Sequence, residues 1–413
     1  MLGERVYRGS GIEQLMEDLG NALAVNAGRV RMLGGGNPAL IDGAEKVWRR
    51  RINEILGSGR DWERLLGVYD PPRGNSEFLR IVADYFRRKY GWDVGPENVV
   101  VTAGGQTAFF FLFNLLAGEM PGGVKRRVML PLVPEYIGYA GQGLAEDFFV
   151  ASGPVVLESA PKRFRYFVDF EKMEIPEDVV VMALSRPVNP SGYLLADDAL
   201  WRLAEICRLR GIVLLVDNAY GMPFPGIVYR ECRPIFAENV VNVFSFSKLG
   251  LPNVRTAIVV AAPEVARAVA SMTAITGLAN GTLGQWMVGA LLESGEIDRL
   301  VEEVVRPYYR ERLLRALGWL EESLGDEVDY RIHETGGAMF LWLWLPGLVS
   351  GSREFYLRLK ERGVLVVPGR AFALGLSEVE PHADQCLRIS FAMDDETLRE
   401  GLREVGRLAK DFA

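Results

Sequence analysis

The stretch "VVNVFSFSKLGLPNVRTAIVVAA", residues 240–262, reads as an apolar strand, a Ser-Phe-Ser-Lys step, a short loop with one arginine, and a second apolar strand. Lysine is scarce in this chain: of 47 basic residues only eight are lysines. Lys46, Lys89, Lys125, Lys162, Lys172, Lys360 and Lys410 all have charged or polar neighbours. Lys248 alone ends an apolar strand among Ser, Leu and Gly. Burial disfavours the ammonium form, so such a lysine can present a neutral amine that attacks aldehydes.

Upstream of this stretch, from about residue 98, short apolar runs alternate with amphipathic ones. "NVVVTAGG" is a strand entering a glycine turn, followed by a helix from about Gln106 to Ala117. "RVMLPLVP", "EDVVVMALSRPVNPSG" and "IVLLVDNAYG" read as buried strands, and "DDALWRLAEICRLRG" has helical period, an acidic start and a glycine stop. Continuous Val/Ile/Leu strands joined by helical crossovers predict an α/β fold whose mostly parallel central sheet has helices on both faces. Ligands then belong at the carboxyl ends of the strands, where Gly104, Asn189, Asp217, Ser245 and Lys248 fall. Downstream, "GEIDRLVEEVVRPYYRERLLRALGWLEESLG" predicts a long helix kinked at Pro307. "YRIHETGGAMFLWLWL", "VLVVPG" and "QCLRISFA", with helices between and after them, predict a smaller α+β domain. The first sixty or so residues lack sheet character and are expected to join it. The division is therefore a large α/β domain at 61–300 and a small domain built from 1–60 and 301–413.

A chain of 413 residues, 49% apolar and 24% charged, suits two domains with a large core. Its net charge of −7 argues against a nucleic-acid partner held by bulk electrostatics. The three cysteines, Cys207, Cys232 and Cys386, are far apart and show no zinc spacing, which predicts reduced thiols and a cytoplasmic protein. The charged N-terminus has no signal-peptide core, and no apolar run is long enough to span a bilayer. With only His333 and His382 present, a Ser-His-Asp triad or histidine metal site is not expected, and no metal is assigned.

A lysine that forms a Schiff base with pyridoxal phosphate needs companions. These are a carboxylate at the pyridine nitrogen, donors for the phenolic oxygen, and hydroxyls, amides and a cation for the phosphate. The strand ends offer each. "VDNAYG" gives Asp217 and Tyr220, "SRPVNPSG" gives Asn189, "TAGGQTA" opens a helix toward an anion, "SFSK" gives Ser245 and Ser247, and Arg255 precedes the next strand. Singly these are ordinary turn strings; their order and spacing together carry the reading.

That set resembles the fold-type I pyridoxal-phosphate aminotransferases, the aspartate aminotransferase superfamily. "SGIEQLMEDL", "MLGGGNPA", "PEYIGYA", "DNAYGMPFPGI", "SKLGLP", "FLWLWL", "RGVLVVPG" and "QCLRIS" extend the likeness over nearly the whole chain. "LGGGNPA" and "PEYIGYA" are more restricted and resemble the bacterial valine–pyruvate aminotransferases. The resemblance implies that Lys248 is the Schiff-base lysine, that Asp217 pairs with the pyridine nitrogen, and that Tyr220 and Asn189 bond the phenolic oxygen. It implies that Gly104, Gly105, Gln106, Ser245 and Arg255 surround the phosphate, that Arg388 and Gly36, with Asn189, bind the substrate α-carboxylate, and that Tyr69 reaches the neighbouring active site of a homodimer. Where the superfamily stacks an aromatic ring on the pyridine this chain has Val133, so Tyr136 is the substitute candidate. In related sequences glycine is usual at Asn253 and Ala257. The implied activity moves the amino group of a small neutral amino acid, such as valine or alanine, to a 2-oxo acid such as pyruvate. The rivals are a β-lyase of the same fold and a catalytically silent homologue.

Overall fold

In the computed structural model, which describes residues 30–378 and 381–412, the apolar runs around residue 248 form one central sheet. From edge to edge it runs Val99–Thr102, Ala257–Val260, Val240–Ser245, Val213–Asp217, Val179–Ser185, Val124–Leu130 and Gly118–Met120, with Phe149–Ala151 also paired to Val124–Leu130. The middle pairings are parallel, as expected for strands buried on both faces. Ala257–Val260 is antiparallel to both its neighbours. This exception matters, because the amino end of that strand then lies at the same sheet edge as the carboxyl ends of the others. Arg255, just ahead of it, joins Lys248 and Asp217 there. The sheet is therefore mixed, and its helices include Gly105–Leu116, Asp197–Leu209 and Pro263–Gly277.

A second, six-stranded sheet runs Val367–Pro368, Cys386–Ser390, Phe340–Trp344, Arg331–His333, Arg163–Phe167 and Val155–Ala160. Its last two strands are a hairpin from the middle of the α/β region, which sequence reasoning did not separate from it. The hairpin's period of two is visible once its fate is known: Phe164 and Tyr166 are buried while their neighbours are not. What the period does not encode is the partner, Ile332–His333, almost 170 residues away. A further departure is at Arg31–Met32, which pairs in parallel with Val364–Leu365, so the first sixty residues do contain a strand. The signal-peptide expectation and the "SGIEQLMEDL" string lie outside the described residues.

The long helix behaves as Pro307 dictates. It starts as Glu296–Arg299, widens into a π-helical turn at Leu300–Val305, and resumes as Arg306–Leu324 with the proline in its first turn. Proline has no N–H to donate to the preceding turn, and local widening accommodates the lost bond. No helix among the described residues is long and apolar enough to cross a membrane.

Candidate active site

The strand ends enclose a cavity of about 250 Å³. It is lined by Gly36, Gly105, Gln106, Tyr136, Asn189, Asp217, Tyr220, Ser245, Lys248, Arg255 and Arg388, residues singled out from sequence and drawn from across the chain. Gly104 sits one residue outside this lining. Tyr69 is 80% exposed and does not line it.

Register explains the convergence. Thr102, Ala257 and Ser245 are paired in line across three strands, as are Ser185 and Asp217 across the next two. Each strand therefore ends at the same level. Lys248 follows Ser245 on a single 3-10 turn, Ser247–Leu249, closed by Gly250 in the left-handed region at φ 93°. The Trp48 indole donates to Leu249 O at 2.8 Å and pins this turn from outside. On the other side, the helix Gly105–Leu116 begins with neither a capping side chain nor an acid in its first turn. Its free N–H groups and partial positive charge are left for an anion. Gly104 has φ +94°, and a Cβ there would collide with the Arg255 guanidinium. Glycine is what allows the arginine to lie over the turn, where it donates to Ala103 O at 3.3 Å and Pro252 O at 3.1 Å. Asn253, in the short Pro252–Val254 turn, and Ala257, buried in its strand, are accommodated without glycine's freedom.

Arg388 arrives from the second sheet. Its Nη1 donates to Asn189 Oδ1 at 2.8 Å and its Nη2 to Gly34 O at 2.7 Å, while its buried Nε has no hydrogen-bond partner among the described residues. Its guanidinium lies 4.4 Å from the Phe340 ring centre and 5.2 Å from that of Phe372. Burial lowers its pKa to about 10, opposed by Tyr220 and Tyr136. Lys248 Nζ donates to Gly36 O at 2.5 Å. Burial and then the positive charges of Arg388 and Arg255 bring its pKa down to about 8, against the pull of Asp217. Asp217 is 8% exposed, and burial pushes its carboxyl up to about 6 despite hydrogen bonds from Tyr139 and Ala219 N. The lining thus carries three cations and one carboxylate, a net positive pocket in an acidic protein.

Val133 is buried in the core and does not line the cavity, whereas Tyr136 does. The Tyr136 hydroxyl donates to Gln106 Oε1 at 3.3 Å, and Gln106 Nε2 donates to Gly138 O at 3.1 Å, tying the tyrosine loop to the helix start. Sequence reasoning missed Ser185, Ile137 and Phe109 in the lining, and it missed Tyr139 behind it. Tyr139 stands three residues after Tyr136 in the same "PEYIGYA" string, the one signal that could have drawn it in. Neither histidine lines the cavity. Both are packed around Tyr166, where burial lowers His333 to about 3 and His382 to about 4.

The likeness to known proteins is extensive. The chain is 40% identical to the valine–pyruvate aminotransferase of Escherichia coli K12 over 98% of its own length and 96% of the relative's. The solved valine–pyruvate aminotransferase of Salmonella typhimurium LT2 superposes with a TM-score of 0.88 at 37% identity, covering 97% of this chain and 99% of that one. A Thermus thermophilus aspartate aminotransferase mutant, at 23% identity, shares the fold with a TM-score of 0.77 over 99% of both chains. Residues 147–405 match the model of aminotransferase class I and II. With a family match over more than half its length and a relative this similar from end to end, the chain belongs to the class I and II aminotransferases.

Proposed function

We propose that this enzyme moves the amino group of a small neutral L-amino acid, valine or alanine in type, to a 2-oxo acid such as pyruvate. The observation that carries the substrate class is the cavity's cation inventory. Lys248, Arg255 and Arg388 are its only cations among the described residues, and each already has a task. A dicarboxylate substrate would bring a second carboxylate into the pocket with no cation left to meet it, and desolvating an unpaired charge is costly. The names of the relatives described above point the same way.

Class I and II aminotransferases work with pyridoxal 5'-phosphate, which supplies the electron sink for breaking bonds at the amino acid's Cα. The donor set supports the fit. An uncapped helix start, Ser245, Ser247 and Arg255 suit a phosphate; Asp217 suits the pyridine nitrogen; Asn189 and Tyr220 suit the phenolic oxygen. Gly104 and Gly105 let the backbone approach, Gln106 fixes the Tyr136 loop, and Tyr136 offers a ring for stacking. The partnerless Nε of Arg388 is the donor a substrate α-carboxylate would satisfy, with Asn189 and Gly36 beside it.

In this reading Arg388 holds the substrate carboxylate and so orients the Cα hydrogen. Lys248 Nζ would take that proton as general base and, in the return half-reaction, would act as general acid toward the carbon of the 2-oxo acid that has gained the amino group, with the bound cofactor as electron sink and source. A pKa near 8 suits an amine that must do both near neutral pH. The working unit is a homodimer. Tyr69 extends to the neighbouring site, consistent with exposed Leu66, Val68, Tyr69 and Ile275. The proposal places the enzyme in the cytoplasm, where Cys207, Cys232 and Cys386 stay free. It also keeps a large domain at 61–300 and a small one at 1–60 and 301–413, with the hairpin Val155–Ala160 and Arg163–Phe167 crossing over to pair in the second sheet.

Half-reactions with valine, alanine, 2-aminobutyrate and aspartate test the substrate class. A hydrophobic pocket discriminates by only about 1–3 kcal/mol per methylene, so overlapping use of the three neutral donors is expected, with aspartate slowest. Aspartate converting the enzyme fastest would defeat the proposal. Ammonia released from a single amino acid without any acceptor would point to a lyase instead.

A further inference from the structure

We infer that Tyr139 is a positioning residue for the transamination chemistry: its phenol O–H fixes the Asp217 carboxylate as an oriented acceptor behind the cavity. The inference rests on the role given to Asp217 above. Tyr139 has no exposed surface and donates to Asp217 Oδ2 at 2.9 Å. The other oxygen, Oδ1, accepts from Ala219 N at 2.9 Å, so among the described residues each oxygen of the carboxylate has one fixed donor.

The ring of Tyr139 is itself immobilised. Phe109, Phe113 and Tyr136 pack around it with ring centres 5.0, 5.4 and 5.3 Å away. Four residues upstream, Glu135 is completely buried and accepts from Ser185 N at 2.8 Å, from the Ser185 hydroxyl, and from Tyr136 N at 2.7 Å. Ser185 is the register partner of Asp217 on the adjacent strand. The "PEYIGY" loop is therefore clipped to two neighbouring strand ends, by Glu135 at Ser185 and by Tyr139 at Asp217. Tyr136 projects to the cavity between them.

The direction of the Tyr139 bond is fixed as well. Burial and the nearby charges of Asp217 and Glu135 hold the phenol far above its ordinary pKa, so it remains the donor across the working pH range. The charged and titratable groups around Asp217 are Lys248 from the turn after its neighbouring strand, Tyr220 from its own loop, and Glu135, Tyr136 and Tyr139 from the clipped loop. Among them Tyr139 makes the direct bond, and that bond favours the carboxylate form.

Tyr139→Phe keeps the ring and removes only the donor. Two measurements are expected to move. In the full-length apoprotein, affinity for pyridoxal phosphate falls about tenfold near pH 6 and recovers above pH 8, because loss of the bond raises the Asp217 pKa and depletes its ionised form at low pH. In the holoenzyme, the acid limb of the kcat profile moves up by about one pH unit while KM for the amino acid stays unchanged. Adding Tyr139→Phe to Asp217→Asn produces no further loss. Incorporation of 3,5-difluorotyrosine at position 139, a stronger donor of similar shape, moves the limb to lower pH, and this serves as the test if the phenylalanine variant does not fold. A Tyr139→Phe protein that melts earlier but shows superimposable pH profiles overturns the inference and leaves the site reading intact. An Asp217→Asn protein with wild-type cofactor affinity and turnover overturns the site reading itself.

Discussion

Lys248→Ala is expected to fold, to retain pyridoxal phosphate through the remaining contacts, and to lose multiple turnover by about 10⁴-fold or more. That is the upper end of what a positioned base and acid contributes, and here the covalent anchor is lost with it. The fold should survive because Lys248 makes one side-chain hydrogen bond among the described residues, to Gly36 O, while the turn that carries it is held independently by Trp48. Wild-type turnover by the variant would remove the assignment. A second readout comes from the wild-type apoprotein. Only a neutral amine captures an aldehyde, and the Lys248 pKa is depressed from 10.5 to about 8, first by burial and then by Arg388 and Arg255. The capture rate for pyridoxal phosphate should therefore rise with pH to a midpoint near 8. A midpoint near 10.5 would show that the amine is not in the environment described.

Asp217→Asn should cost about 10²–10³-fold in the step that removes the Cα proton, the usual scale for losing one preorganised electrostatic group. Its effect on stability should be small and of opposite sign. The carboxyl is raised from 3.8 to about 6, chiefly by burial, so the folded apoprotein binds a proton between those pH values that the unfolded chain has released. Stability contributed by this group is present at low pH and is lost as pH rises through about 6. Asparagine removes that dependence, and above pH 6 the variant apoprotein should melt no lower than the wild type. A variant with an unaltered half-reaction, or one that fails to fold at neutral pH, would mean that Asp217 has been given the wrong task.

Much of this site is legible in the amino-acid sequence. The Val/Ile/Leu runs mark strands buried on both faces, and polar residues at their ends mark the sheet edge where the cavity lies. Lys248, Asp217, Asn189 and the Gly104-Gly105 turn all follow from that local logic. Arg388 and Tyr136 come from resemblance alone. Nothing in the periodicity of "QCLRIS" says that its arginine faces a cavity built more than a hundred residues earlier.

By itself the sequence determined most strands of the central sheet and the helices between them, where those elements stop, and which side chains therefore stand at the stops. These properties depend on neighbours within a few residues, through alternation, capping and the special geometry of glycine and proline. Only the tertiary structure decided which segments meet. It sent the hairpin Val155–Ala160 and Arg163–Phe167 to the second sheet and paired Arg31–Met32 with Val364–Leu365. It turned Ala257–Val260 antiparallel, so that Arg255 faces Lys248's edge, laid the Gly34 and Gly36 carbonyls against Arg388 and Lys248, and aimed Tyr139 at Asp217. Pairing and burial at long separation are fixed by register and by packing against the whole core, and a local pattern is compatible with many partners until the rest of the chain has filled the space around it.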